Sequence, residues 1–244
     1  MSQTDGPRER GLCLALNTAG ELCATAVYDI EKQELLSSCE ADIGRGHADL
    51  LMEQVAEVLG GAGCDYSQLS KIAVANGPGS FTGLRVGISA ARGLALALNI
   101  PAVGIGVLEA LAFPLLHHGK AVLAVQDARR GEVFAALYAA DGSLRATPTA
   151  IAPDQLESFC QSVQGQSIYV TGTGGFLAQA AMPNAVLNLV NAQGHIELRV
   201  MGQMATGRTA VEAVRPLYLR GADAKPQQAI SGIVVDGSLT NNHE

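Results

Sequence analysis

The sequence predicts an α/β protein of two lobes, each with a mixed sheet, built by duplication. Three observations predict it. The first half reads as three strands, a helix, a strand, a helix and a strand. The second half partly repeats this: Leu14-Ala15-Leu16-Asn17 resembles Leu123-Ala124-Val125-Gln126, and after a short insertion Gly20-Glu21-Leu22 matches Gly131-Glu132-Val133. Finally, the apolar strand and glycine turn ending in Gly77-Pro78-Gly79 is echoed by Ile168 to Gly174. Two successive units of this kind give two α/β layers with mixed sheets.

Residues 1–10 read as a loose arm ahead of an N-terminal lobe, 11–106. Gly11 to Thr18 and Leu22 to Asp29 form a hairpin across Ala19-Gly20-Glu21, with Leu35 to Asp42 as a third strand. Gly44-Arg45-Gly46 breaks the chain, and His47 to Leu59 runs as a helix with Leu51, Val55 and Val58 on one face. Ile72 to Ala75 is a buried strand, and Asn76-Gly77-Pro78-Gly79 ends it. Ser80 or Thr82 can cap a helix that runs from Leu84 to Leu98. Gly83, Gly87 and Ala91 fall four apart on that helix, beside Ala90 and Leu94, so another element can approach closely. Ile100 to Ile105 is the last strand of the lobe.

The C-terminal lobe is expected over 107–221. Helices are predicted at 107–118, 154–163, 175–182 and 196–213, and strands at 121–126, 132–139, 144–151, 167–171 and 185–190. From 222 to 244 the chain is polar apart from Ile230 to Val235, the pattern of a mostly disordered tail.

Composition narrows the function. Hydrophobic residues are 48% and charged residues 16%, enough for a core with apolar surface to spare. A net charge of −7 without lysine or arginine clusters beyond pairs such as Arg129-Arg130 argues against binding RNA or DNA alone. Five cysteines without a C-x-x-C spacing read as reduced core residues of a cytoplasmic protein. The start, MSQTDGPRER, lacks a signal peptide's apolar core, and no uninterrupted apolar stretch suits a membrane span. No two of the five histidines stand at H-x-x-x-H spacing, so no metal site is expected. Ser80 lies outside a G-x-S-x-G elbow, which excludes that hydrolase design.

Strand, glycine turn and helix N-terminus together present amide N–H groups to an anion. Here the spacing fits neither common phosphate motif, since Leu84 stands where a P-loop lysine would and Thr82 where a Rossmann glycine would. A two-lobed duplicated fold can hold a nucleotide between its lobes, which makes Asn17, Gly77, Gly79, Ser80 and Asp127 the candidates to touch one. Asn17 cannot bind magnesium as a carboxylate would, and a lone Asp127 reads better as a turn cap than as a phosphoryl-transfer acid.

The runs GRGHADLLMEQVAEVL and ANGPGSFTGLRVGISAARGLALALNIPAVGIGVLEALA resemble the bacterial TsaB (YeaZ) family, as do DARRGEVFAALY and RPLYLR. The most specific stretch is Gly77 to Arg85. The resemblance implies the ribonuclease-H-like fold of actin, sugar kinases and Hsp70. It also implies a non-catalytic partner of TsaD that, with the ATPase TsaE, moves a threonylcarbamoyl group from threonylcarbamoyl-AMP to N6 of adenosine 37 in tRNAs reading ANN codons. ATP and threonylcarbamoyl-AMP would serve the complex, this chain holding no cofactor of its own. It would reach tRNA only through the complex and pair with itself when alone. The implied partner surface is the two helices, at His47, Leu51, Val55, Val58, Gly83, Arg85, Gly87, Ala90, Ala91 and Leu94. One departure is Asn17-Thr18-Ala19 where the family usually has Asp-Thr-Ser. Two alternatives remain: a stand-alone ATPase or phosphotransferase of the same superfamily, and a metalloprotease, the name once attached to relatives.

Overall fold

The computed structural model describes residues 11–42, 47–209 and 212–220. The expected arm, the Gly44-Arg45-Gly46 break and the tail lie outside those residues. The chain order is β1 (Leu12–Asn17), β2 (Leu22–Asp29), β3 (Glu34–Asp42), α1 (His47–Gly61), β4 (Leu69–Gly77), α2 (Phe81–Leu98), β5 (Ala102–Gly106) and α3 (Val107–Ala112). It continues through β6 (Val122–Arg129), β7 (Glu132–Tyr138), β8 (Leu144–Ile151), α4 (Leu156–Phe159), β9 (Ser167–Thr171), α5 (Gly175–Ala181), β10 (Val186–Val190) and α6 (Leu198–Ala205).

The strands form two five-stranded sheets, ordered β3-β2-β1-β4-β5 and β10-β9-β6-β7-β8. Read from the other edge, the second order repeats the first. In each sheet the first strand is central, pairing antiparallel with the second and parallel with the fourth. This is the two-lobed, duplicated ribonuclease-H-like architecture.

Three expected helices are shorter than their sequence patterns. Pro114 lies in a 3-10 turn after α3, and positive φ at His117 and Gly119 stops the helix from reaching 118. The 154–163 segment divides into two 3-10 turns around the four-residue α4, with Cys160 leaving helical angles. The last helix ends at Ala205, with Gly207 at a φ of 76°.

One sheet takes its strands from β1–β5 and the other from β6–β10, whereas the larger core draws on residues of both halves of the chain. α6 belongs by position to the second lobe, yet it packs on β1, β2 and β4 of the first. Gly202 makes that approach fit, because a Cβ there would lie 2.3 Å from the Tyr28 ring. Lys71 of β4, 2% exposed, donates from Nζ to the carbonyls of Ala205 and Arg208 and so caps the C-terminal end of α6. Alternation along β6 serves both halves. Val122 and Ala124 join the core shared with the first lobe, while Ala121, Leu123 and Val125 face the second lobe's own core.

All five cysteines are free, with Cys13, Cys23 and Cys160 buried. Burial pushes the Cys23 and Cys160 thiols up to about 11, which suppresses the reactive thiolate.

Candidate functional site

The two lobes meet at a cleft of about 1120 Å³ at the carboxyl ends of the central strands, the place where open α/β sheets hold ligands. Asn17, Glu21, Gly79 and Ser80 line it from the first lobe, and Gln126, Asp127 and Arg129 from the second. Gly77 does not. It is buried at a φ of 122°, and a Cβ there would meet the Leu217 carbonyl at 2.7 Å.

The glycine turn is packed shut. The Ser80 amide donates to the Ala19 carbonyl at 2.7 Å, and Ser80 Oγ caps the Gly83 amide at 3.2 Å. Thr18 Oγ1 donates to the Gly83 carbonyl at 2.7 Å. These contacts press the α2 N-terminus against the first hairpin and use amides that an anion would need. The second lobe repeats the device: Gly172 has a φ of 104°, and the Gly174 amide donates to the Val125 carbonyl. A repeated G-x-G-x-F, Gly77 to Phe81 and Gly172 to Phe176, marks both places.

Asn17 and Asp127 do the same local job. Asn17 Oδ1 accepts from the Ala19 amide, and Asp127 Oδ1 from the Arg129 amide, each two residues on. Arg129 reaches across the cleft to Glu21 at 2.9 Å, and His195 faces Glu40 at 2.9 Å. Arg220 donates to Glu132. The arginines at this cleft therefore already meet carboxylates. No group of three or more His, Cys, Asp or Glu side chains is placed to hold a metal among the described residues.

The C-terminal part of the described chain straps the cleft. The Leu217 amide donates to the Asn76 carbonyl at 2.7 Å, and the Tyr218 ring lies 5.2 Å from that of Phe81. Arg85 covers the Phe81 ring at 3.8 Å and donates to the Tyr218 hydroxyl.

The helices correct one expectation. Leu51, Val55 and Val58 are buried in this chain's own core, and so are Gly83, Gly87 and Ala91. A Cβ on Gly83 would lie 2.0 Å from the Thr18 carbonyl oxygen, and one on Gly87 2.4 Å from Thr18 Oγ1. The small stripe thus admits the first hairpin, not another protein. His47 opens α1, and Ala90 and Leu94 are half-buried at its side of α2.

A different set faces outward. On α2 these are Arg85, Ser89, Arg92, Gly93, Leu96 and Ala97, with Leu96 85% exposed. On α1 they are Met52, Glu53, Ala56, Glu57, Gly60 and Gly61. Ser89, Gly93 and Ala97 on α2 and Ala56 and Gly60 on α1 recur at four-residue spacing, so two packed helices turn small residues to solvent. α2 is largely apolar, with Arg85 and Arg92 its only charges and a mean hydropathy of 1.2, but only 28% of it is buried. It is long and apolar enough to cross a membrane by length and composition. Here it instead connects two neighbouring parallel strands of one sheet and packs on β4.

Comparison with known proteins decides the family. Residues 41–194 match the model of the family described as TsaD, tRNA N6-adenosine threonylcarbamoyltransferase. The tRNA threonylcarbamoyladenosine biosynthesis protein TsaB of Escherichia coli is 32% identical over 225 residues, covering 85% of this chain and 94% of that one. The chain belongs to the TsaB (YeaZ) family. The Bacillus subtilis TsaB is 29% identical over 87% of this chain and 95% of its own length. The solved structure of YeaZ from Pseudomonas aeruginosa superposes with a TM-score of 0.71 at 29% identity, over 86% of this chain and 100% of that one.

Membership in the TsaB family agrees with the architecture that the duplicated strand order gives.

Proposed function

We propose that this chain is a non-catalytic subunit of tRNA threonylcarbamoyladenosine synthesis in the cytoplasm, pairing with TsaD and working with TsaE. The observation that carries the reading is the outward side of α2, a largely apolar helix only 28% buried, with Leu96 85% exposed on a side that also carries Arg85, Arg92 and the small residues Ser89, Gly93 and Ala97. Contiguous apolar surface of this kind marks interaction sites. Small residues at four-residue spacing let a partner's helices come close. Family membership supplies the identity of the partner. The cleft supports the rest: its glycine turn is packed against the first hairpin, and Asn17 and Asp127 are engaged as turn caps. ATP and threonylcarbamoyl-AMP are then used by the complex and tRNA binds only to it. Without TsaD, the same face pairs two copies of this chain.

A reconstituted complex tests this. Leu96→Asp should weaken TsaD binding roughly thirtyfold or more, about 2 kcal/mol, because a carboxylate would be buried in an apolar contact. An exposed change of this type should alter folding stability by no more than about 0.5 kcal/mol. In the same assay Asn17→Ala and Asp127→Ala should leave tRNA modification within a few-fold. Unchanged TsaD affinity for Leu96→Asp would move the interface elsewhere, and a hundredfold loss with Asn17→Ala would give this chain a chemical role.

A further inference from the structure

The outer edge of the second sheet carries no charge. From Ser158 to Gly194, through β9, α5 and β10, there is no Asp, Glu, Lys or Arg, in a chain of net charge −7. Of the four edge strands, β3 carries Glu34, Glu40 and Asp42, and β8 carries Arg145 and Pro148. On β5 the Gly104 carbonyl accepts from Arg208. These are the usual devices that keep an edge from pairing. β10 has neither charge nor proline, and among the described residues it pairs only with β9. Leu187 and Leu189 pack on the second core, while Val186 and Val190, on the opposite face, are 61% and 37% exposed. The strand also reads the same in both directions, Val186-Leu187-Asn188-Leu189-Val190.

We infer that β10 pairs with β10 of a second copy of this chain, antiparallel about a two-fold axis at Asn188. The backbone has the phase this needs. The Tyr169 amide donates to the Ala121 carbonyl, so Tyr169 faces β6, and its neighbours Ile168 and Val170 turn N–H and C=O to β10. Asn188 lies level with Tyr169 and receives them. Leu187 and Leu189 therefore turn their own N–H and C=O outward. Under the two-fold, Leu187 stands opposite Leu189 of the second copy and the two exchange both bonds. Val186 meets Val190 of the second copy, and Asn188 its own equivalent, at the closer positions between those pairs. The palindrome makes each facing pair alike, as suits a contact in which both copies use the same patch. Charge selects the same occupant. Two chains of net charge −7 repel, and they can approach along an edge that has no charge. An acidic or basic partner strand would find no complementary group there. The ladder is short, so the dimer is weak, and it leaves the α2 face free.

Disulfide trapping with oxidised glutathione tests the register, in the full-length Leu96→Asp chain so that α2 does not pair. Positions 186 and 190 of opposite copies would stand about 4.5 Å apart between Cα atoms, within disulfide reach. Like positions would lie about 13 Å apart. Val186→Cys and Val190→Cys chains should therefore each link no more than the parent chain when alone. Mixed in equal amounts, they should give at least about tenfold more linked dimer than either alone. By sedimentation, Val186→Lys should weaken the parent's self-association at least about tenfold. Three results would overturn the inference: single variants that link as well as the mixture, meaning another register or random encounter; a mixture that does not link, meaning the edge is closed to a second copy; or a Val186→Lys chain that self-associates like its parent.

Discussion

Replacing Lys71 by methionine should destabilise the protein by about 3 kcal/mol, read as a lower urea midpoint with an unchanged slope. Methionine keeps the length and apolar stem of the side chain, so little packing is lost. What goes is the ammonium that serves the Ala205 and Arg208 carbonyls at 3.0 and 2.7 Å. Both oxygens sit at the C-terminal end of α6; the Ala205 carbonyl keeps the Arg208 amide as a donor, whereas the Arg208 carbonyl loses its 2.7 Å partner, and an acceptor left without a donor costs about 1–3 kcal/mol. Replacing a whole buried polar pair by apolar groups is often harmless. Here only the donor is replaced, so the loss of two charge-assisted bonds and the penalty for the abandoned Arg208 carbonyl dominate. Lys71→Arg should restore part of the loss, because a guanidinium still donates. A shift below about 0.5 kcal/mol for the methionine variant would mean that water reaches these carbonyls. The effect bears on function as well, since α6 is the second lobe's main grip on the first lobe's sheet and follows directly on His195, which faces Glu40.

The strands were legible because period-2 alternation and glycine turns are local signals. β2, β8 and β9 run over the residues expected from sequence. The duplication could be read from two short matches, and the strand orders extend it to whole sheets. Asp127 as a turn cap was also legible, since Asp before a glycine-containing turn has that local use. Two things were not. Lys71 and Ala205 are separated by 134 positions, and no periodicity links a strand lysine to a helix end that far away. Helix direction was the other. α2 has small residues on two stripes, 83-87-91 and 89-93-97, and spacing alone cannot say which meets the first hairpin. Thr18 decides it, through a contact made only in the folded chain. The repeated G-x-G-x-F could have been found, by aligning the two glycine turns one residue further.

Two glycines on α2 should respond to the same substitution with opposite signs. Gly93→Ala should stabilise the protein by roughly 0.5–1 kcal/mol, because alanine costs less conformational entropy in a helix. No atom lies within 4 Å of where that methyl would go. Gly83→Ala carries the same helical gain but should lower stability by about 3 kcal/mol overall. Its methyl would stand 2.0 Å from the Thr18 carbonyl oxygen, and Ser80 Cβ at 3.3 Å leaves it little room to turn aside. Relief requires moving the first hairpin, which breaks the Thr18 Oγ1 bond to the Gly83 carbonyl and disturbs the Ser80 bond to Ala19. The clash therefore outweighs the propensity gain severalfold. Binding separates the two sites further. Gly93 lies on the outward stripe, so Gly93→Leu should fold normally and weaken TsaD association. If Gly83→Ala instead folds with wild-type stability and loses only partner affinity, then the inward stripe serves the interface after all, and the assignment of the two faces of α2 is reversed.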